Sequence, residues 1–243
     1  MTDDLSPRPS GVLHQFSFVD ALVAGLYEGA FRASDVLGAG DFGVGCGDAL
    51  DGEIVLLDGV MHLCRGDGQV VDVAPDALVP FAEVSRFTPT HTETVADLTE
   101  LDFDALVDSL TPSSNLFYGI RVDGVFERMT VREAVRQQQP YRRLAEAVKG
   151  QHEDTSAHTT GTLIGFRGPD VFQGLSVAEF HLHYINDART FGGHVMDFQL
   201  RSGMLALEAY DTFTLHLPEV ASYLSAPLRR HDSDAEIRQA EGS

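Results

Sequence analysis

Short apolar runs separated by glycine and aspartate dominate the chain, and this pattern predicts a protein built mainly from β-hairpins. The runs EIVLL (53–57) and VMHLC (60–64) flank Asp58-Gly59. This dipeptide favours a two-residue turn, because both of its residues accept a positive φ. The pattern therefore predicts a hairpin over residues 53–64.

A second stretch has the same form. The runs NLFYGIRV (115–122) and VFERMTV (125–131) flank Asp123-Gly124, which predicts another two-residue hairpin. Further strands are predicted at TGTLIGFR (160–167) and EAYDTFTLHL (208–217).

Helical periodicity is confined to a few short segments. Residues 97–110 (DLTELDFDALVDSL) form an acidic amphipathic pattern, and residues 140–149 predict a short helix with Pro140 in its first turn. Ser233 and Glu236 make a capping-box pattern, which predicts a helical tail. The fold class we predict is α+β, with mixed and antiparallel sheets and a few helices.

The predicted division of the chain has three parts. Residues 1–12 form a flexible leader, residues 13–150 an N-terminal α+β subdomain, and residues 151–243 a C-terminal β-rich subdomain that binds metal. The boundary is placed at the polar, glycine-started segment 150–158.

Charge narrows the possible partners. The 243 residues include 37 acidic and 17 basic side chains, for a net charge of −20. Such a protein repels phosphate backbones, so we expect no nucleic-acid partner. It also repels an anionic substrate at long range. A site for an anion therefore needs its own concentrated positive charge.

The cysteine content and the lack of targeting signals predict the cellular compartment. Cys46 and Cys64 are too few for a disulfide framework, which predicts a reducing environment. The N-terminus has no signal-peptide pattern, and no apolar run reaches the length of a membrane span. We predict a cytoplasmic protein without membrane contact.

The most informative chemistry lies in FHLHYINDARTFGGHVMDF (180–198). His181 and His183 alternate with one residue between them, so they share one face of a strand. Gly192-Gly193 reverses the chain and returns His194 beside them. Three imidazoles from one hairpin can bind a divalent transition metal and leave a coordination position open.

Three other residues have two interpretations each on sequence alone, and a fourth, Glu241, has one. Glu53 is either an exposed strand end, which the pattern favours, or a carboxylate aimed into a cavity. Arg132 is a solvated arginine or an anion-binding group. Cys46 is a small buried residue or a thiol that lines a site, and Glu241 is by default a surface residue.

The chain resembles the bacterial α-acetolactate decarboxylases from about residue 14 to the C-terminus. The string around the three histidines is highly specific, and the segments occur in the family's order. The matching segments are DVLGAGDFGVGCGDALDGEIVLLDG (35–59), SNLFYGIRVDGVFERMTVREA (114–134), QPYRRLAEAVK (139–149), GTLIGFRGPD (161–170) and EFHLHYINDARTFGGHVMDF (179–198).

The resemblance implies a zinc enzyme that converts 2-acetolactate, a small anionic 2-hydroxy-3-keto acid, to acetoin and CO2. It implies His181, His183 and His194 as metal ligands, although other divalent transition metals fit the same donors. The metal would stabilise the enediolate that forms as CO2 leaves. The resemblance also implies a homodimer.

The resemblance further implies three catalytic residues. Arg132 would hold the substrate carboxylate, and Glu53 and a glutamate of the C-terminal segment would move protons. We assign that glutamate to Glu241, with Glu236 as the alternative. Cys46 would contact the substrate.

The chain departs from the family's pattern at two places. Cys46 stands where relatives usually have threonine, and a thiol is a weaker donor than a hydroxyl. Arg132 is followed by Glu-Ala where relatives commonly have Ser-Val-Pro.

Two other functions stay open at this point. One is a cupin-like non-heme metal enzyme, since cupins also use an H-x-H strand and Asp187 stands where they have glutamate. The other is a non-catalytic protein whose zinc braces the hairpin, which normally requires four protein ligands.

Overall fold

The computed structural model describes residues 11–228. The predicted tail helix lies outside this range, and so do residues 1–10 of the predicted leader. The strands are β1 Gly11–Phe16, β2 Phe31–Arg32, β3 Phe42–Cys46, β4 Glu53–Leu57, β5 Val60–Cys64, β6 Val70–Asp72, β7 Leu78–Val79, β8 Phe81–Ser85, β9 His91–Thr99, β10 Phe117–Glu133, β11 His152–Gly168, β12 Glu179–Asn186 and β13 Gly192–His216. The helices are α1 Val19–Val23, α2 Ala33–Ala39, α3 Glu100–Leu110, α4 Leu144–Ala147 and α5 Ala221–Ser225.

Eleven of these strands belong to one sheet, with the order β10-β11-β12-β13-β1-β8-β3-β4-β5-β6 and with β9 paired to β13. Strands β1 and β13 are parallel and the other pairs are antiparallel, so the sheet is mixed. Because β10 also pairs with β13, strands β10 to β13 form a closed circuit. The α+β class with mixed sheets is confirmed.

The hairpin predicted at Asp58-Gly59 is confirmed. Asp58 has φ of 51° and Gly59 has φ of 80°, as a turn with two left-handed residues requires. The strands on either side pair in register, from Leu57 opposite Val60 to Glu53 opposite Cys64.

The hairpin predicted at Asp123-Gly124 is wrong, because β10 runs straight through both residues. Gly124 is paired with Gly161 on one side and Gly203 on the other. A β-carbon on Gly124 would lie 2.7 Å from the carbonyl oxygen of Ser202. This glycine therefore allows neighbouring backbones to approach closely instead of turning the chain.

The pairing of β10 with β11 joins residues on the two sides of the boundary predicted at residue 150. Most of the polar segment 150–158 lies in the first part of β11. The first residue of β11, His152, pairs with Glu133 of β10. The division of the chain into subdomains at residue 150 stays a prediction.

The main predicted helix is confirmed as α3. Thr99 caps it, since its hydroxyl accepts a hydrogen bond from the backbone N–H of Asp102, and Phe103 and Val107 are its buried residues. Residues 140–149 form only the short α4 and a 3-10 turn, and Pro140 lies outside both. No helix within residues 11–228 is long and apolar enough to cross a membrane.

Strands of the closed circuit and helix α3 contribute side chains to an aromatic core. The ring of Phe126 contacts those of Tyr184 and Phe198, with centroids 5.2 and 5.9 Å away, and Phe103 of α3 packs against Phe198. All four side chains are buried. This core fixes β10, β12 and β13 relative to one another, and these strands carry the candidate site.

Candidate metal centre and active-site cavity

The three histidines converge as predicted. His183 of β12 is directly opposite His194 of β13, and His181 lies two residues along the same face of β12. One ligand nitrogen from each lies within 4.8 Å of the other two, and all three residues are buried. The hairpin of β12 and β13 thus forms a three-nitrogen cluster.

Hydrogen bonds define which nitrogen of two of the rings faces the cluster. His183 Nδ1 is 2.8 Å from the carbonyl oxygen of Ile54. A carbonyl can only accept, so Nδ1 carries the proton and Nε2 keeps its lone pair. His181 Nδ1 is 3.0 Å from the carboxylate of Glu83, which orients its Nε2 in the same way.

The second ring nitrogen of His183, Nε2, faces the cluster. This nitrogen is buried and has no hydrogen-bond partner in the described part of the chain. Burial, followed by the positive fields of His181 and Arg132, lowers the pKa of His183 well below its usual value. The ring is therefore neutral near pH 7. Converging imidazole nitrogens are donors that suit a divalent transition metal, so the three histidines can bind one.

A cavity that is partly open to solvent adjoins this cluster. His181, His194, Glu53, Arg132 and Cys46 line it on the polar side. The remaining wall is apolar apart from the backbone of Gly45, and consists of Val19, Leu22, Leu50, Phe81, Ala134, Leu144, Val148 and Val177.

Arg132 enters the cavity from β10, where it is directly opposite His194 on the neighbouring strand. The side chain is buried, which excludes the interpretation of Arg132 as a solvated surface arginine. Its Nη1 donates to Gln151 Oε1 at 2.9 Å, whereas Nε has no hydrogen-bond partner among residues 11–228. The guanidinium thus brings positive charge beside the histidines.

Glu53 begins β4 and is buried, so the exposed strand end favoured by the sequence pattern is wrong. Its Oε2 lies 3.7 Å from His183 Nε2. Cys46 pairs with Glu53 across β3 and β4 and is also buried. Both interpretations of Cys46 therefore hold, since it is a small buried residue and its side chain lines the cavity.

Two predicted residues cannot be placed, since Glu241 and its alternative Glu236 lie outside the described residues. Conversely, sequence reasoning missed Glu83 and Gln151, which contact His181 and Arg132. A signal for Glu83 was available, because it is the one charged residue of the otherwise apolar run FAEV.

Glu133 was also missed as an ionisable group near the site. It is buried, and its Oε2 has no hydrogen-bond partner in the described structure. Burial, followed by repulsion from Glu53 and Asp154, raises the pKa of Glu133 to about 8.

Fold and site together define a β-rich protein whose buried three-histidine cluster opens onto a cavity that also holds an arginine and a glutamate. The family described as alpha-acetolactate decarboxylase matches residues 13–230. The chain therefore belongs to this family, as its sequence motifs predicted, and it is a carboxy-lyase.

Individual relatives agree over nearly the whole chain. The alpha-acetolactate decarboxylase of Methylococcus capsulatus is 40% identical over 228 residues, which cover 93% of this chain and 87% of that protein. The crystal structure of alpha-acetolactate decarboxylase from Bacillus subtilis is 36% identical, with a TM-score of 0.93, and the match covers 96% of this chain and 100% of that one. A Staphylococcus aureus protein of unknown function, described as similar to alpha-acetolactate decarboxylase, also has a TM-score of 0.93, at 32% identity.

Proposed function

We propose that this chain decarboxylates 2-acetolactate to acetoin and CO2, with a divalent transition metal held by His181, His183 and His194. One observation carries the proposal: two histidines of the cluster, His181 and His194, line the same cavity as the buried Arg132. Relatives named alpha-acetolactate decarboxylase support the choice of substrate.

The donor set suits zinc, and we propose zinc as the metal. Three nitrogen ligands leave a coordination position open, as catalytic zinc sites do. When bound, the metal supplies Lewis-acid stabilisation of the negative charge that develops on the substrate as CO2 leaves.

Arg132 gives the substrate carboxylate a partner inside a strongly acidic protein. Its fork of N–H donors matches a carboxylate in geometry, and the contact with Gln151 holds one branch of the fork in place. Nε is buried and has no hydrogen-bond partner within the described range. We assign Arg132 to binding and orientation of the carboxylate.

Glu53 is placed to hold or move a proton. Breaking the bond to the carboxylate leaves an electron pair on the substrate, and acetoin forms only when a proton reaches that carbon. The reaction consumes one proton overall, which solvent supplies. Glu53 lines the cavity and lies next to His183, so its carboxyl group can take up that proton from solvent and pass it to the carbon. Glu241, or Glu236, is proposed as a second proton carrier.

The apolar wall of the cavity fits the two methyl groups of 2-acetolactate. Residues such as Leu22, Phe81 and Val177 also limit the number of water molecules beside the reacting carbon. Cys46 extends this wall, and we propose that its thiol contacts the substrate where a hydroxyl is usual in the family.

Two observations favour catalysis over a bracing zinc. The ligand group found within residues 11–228 has three members, whereas a structural site normally has four. The cluster also borders a cavity instead of packed core. Asp187, the position suggested by cupins, lies in the turn between β12 and β13 and does not line the cavity.

A homodimer and a cytoplasmic location complete the proposal. The first rests on resemblance to the family, and the second on the reduced state expected of Cys46 and Cys64, which are both free thiols.

The test is turnover of 2-acetolactate by the purified protein, measured as acetoin and released CO2. His183→Ala should lose both metal retention and turnover. Arg132→Ala should retain metal but lose most turnover, since only the carboxylate partner is removed. The matched control is Arg201→Ala, which removes an exposed arginine paired with Glu127. Full activity of metal-free His183→Ala would refute the proposal.

A further inference from the structure

Glu83 is a carboxylate at an unusually buried position. It lies in the middle of β8, a strand whose five residues are all buried and which has β1 on one side and β3 on the other. The residue is only 1% exposed. Burying a carboxylate costs several kcal/mol unless it is hydrogen-bonded, so its neighbours must compensate this cost.

Two neighbours use both oxygens of this carboxylate. Oε1 accepts a short hydrogen bond from the hydroxyl of Ser176, which is fully buried. Oε2 lies 3.0 Å from His181 Nδ1. The alternation of β8 places Glu83 on the same face as Phe81, whose side chain lines the cavity. Glu83 thus sits directly behind one of the three histidines of the cluster.

We propose that Glu83 is a positioning residue for His181, an inference that rests on the proposed metal role of the cluster. By accepting the Nδ1 proton, the carboxylate directs the Nε2 lone pair of His181 toward the other two histidines and makes that nitrogen a stronger donor. The carbonyl of Ile54 orients His183 in a similar way but carries no charge. His181 therefore depends on a side chain that can be changed without touching the ring.

A purely structural role for Glu83 is the competing explanation. Ser176 follows the 3-10 turn Asp170–Phe172, so Glu83 also ties this loop to the sheet. If the loop contact were the purpose of Glu83, Ser176→Ala would reproduce the effect of changing Glu83. If Glu83 acts through His181, Ser176→Ala should weaken metal binding no more than about threefold, since it removes one neutral donor.

The experiment measures metal affinity directly. Co²⁺ or Zn²⁺ is titrated into the metal-free full chain in competition with a chromophoric chelator, and the visible spectrum of the Co²⁺ form is recorded. Glu83→Ala should weaken binding by about 10–100-fold, the usual range for a residue behind a histidine ligand. It should also shift the Co²⁺ absorption bands. Glu83→Gln should lose less affinity than Glu83→Ala, because an amide can keep both contacts without the charge.

Glu208 provides the matched control. It is another buried glutamate of the same sheet, but its carboxylate accepts from the backbone of Thr88 and does not line the cavity. Glu208→Ala and Glu208→Gln should leave metal affinity and the Co²⁺ spectrum unchanged.

Wild-type affinity and unaltered spectra in both Glu83 variants would overturn the positioning role while leaving the proposed function intact. Equal losses in Ser176→Ala and Glu83→Ala would also overturn it. Failure of the wild-type chain to bind metal would contradict the proposed function itself. If Glu83→Ala does not fold, the comparison of Glu83→Gln with Glu208→Gln decides the question.

Discussion

Glu133→Gln should stabilise the folded chain, by an amount that grows as the pH rises from about 4.5 to about 8. Glu133 is buried beside Glu53 and Asp154, and one of its oxygens has no hydrogen-bond partner within the described range. Ionising it in the folded state is therefore unfavourable. Glutamine has nearly the same shape and imitates the protonated form, so the substitution removes the charge without opening a cavity.

The expected gain in the free energy of unfolding follows from the pKa of Glu133. Burial, with repulsion from Glu53 and Asp154, raises the pKa of Glu133 from 4.5 to about 8. At about 1.4 kcal/mol per pKa unit, ionisation costs at most about 5 kcal/mol of folding free energy. Unsatisfied buried groups in proteins usually cost about 1–3 kcal/mol, more when charged, and we expect a gain in this range.

The pKa of Glu133 also determines how the stability of the folded chain changes with pH. The unfolded chain releases this proton near pH 4.5, whereas the folded chain keeps it up to about pH 8. The stability that protonated Glu133 contributes is therefore complete below the unfolded pKa and is lost as pH rises through the folded pKa. Above that pH both states are ionised, and the folded state carries the full cost.

The assay is urea unfolding of the metal-free protein near pH 5 and near pH 9. The two proteins should differ little in free energy of unfolding near pH 5, whereas Glu133→Gln should be more stable by about 1–3 kcal/mol near pH 9. Because the net charge is −20, loss of any negative charge relieves some repulsion. Glu219→Gln, at an exposed position, measures that general effect. An equal gain in both variants, or a gain that does not depend on pH, would refute the reasoning.

Other substitutions test the fold and the site. Phe126→Ala should lower the free energy of unfolding by about 3–5 kcal/mol in thermal or urea unfolding, since a fully buried ring is removed from the aromatic core; a loss below about 1 kcal/mol would show that this core packs loosely. Gly59→Ala should cost only about 1 kcal/mol, from its positive φ, because nothing lies within 4 Å of the new methyl group. Gly45→Ala should cost clearly more, since its β-carbon would lie 2.4 Å from the carbonyl oxygen of Phe81, and equal costs would contradict the structure. Gln151→Ala should raise KM for 2-acetolactate up to about tenfold with little change in kcat, as expected when one contact that orients Arg132 is lost; a loss confined to kcat would contradict this role.

The histidine cluster was predictable because its spacing is local. The alternation of His181 and His183, and the glycines before His194, determine a hairpin without reference to the rest of the chain. Strand alternation also placed Glu53 with apolar neighbours, but could not tell burial from exposure. That distinction depends on strands far away in the sequence.

The continuous strand β10 shows why local patterns fail elsewhere. Asp123-Gly124 has the composition of a turn, yet Gly124 lies between Gly161 and Gly203 on the flanking strands. Only the long-range pairing reveals that the missing side chain serves close packing. The contacts of Gln151 and Glu83 could not be predicted for the same reason, because their partners are distant in the chain or on other strands.

Metal dependence of turnover tests the central claim most directly. The chain is freed of metal with a chelator, and acetoin formation from 2-acetolactate is followed while Zn²⁺ is added back. We expect no turnover without metal and full turnover at one Zn²⁺ per chain, with no recovery in His183→Ala. Undiminished turnover by the metal-free wild-type chain, or equal recovery in the His183 variant, would contradict a decarboxylase whose metal is held by these three histidines.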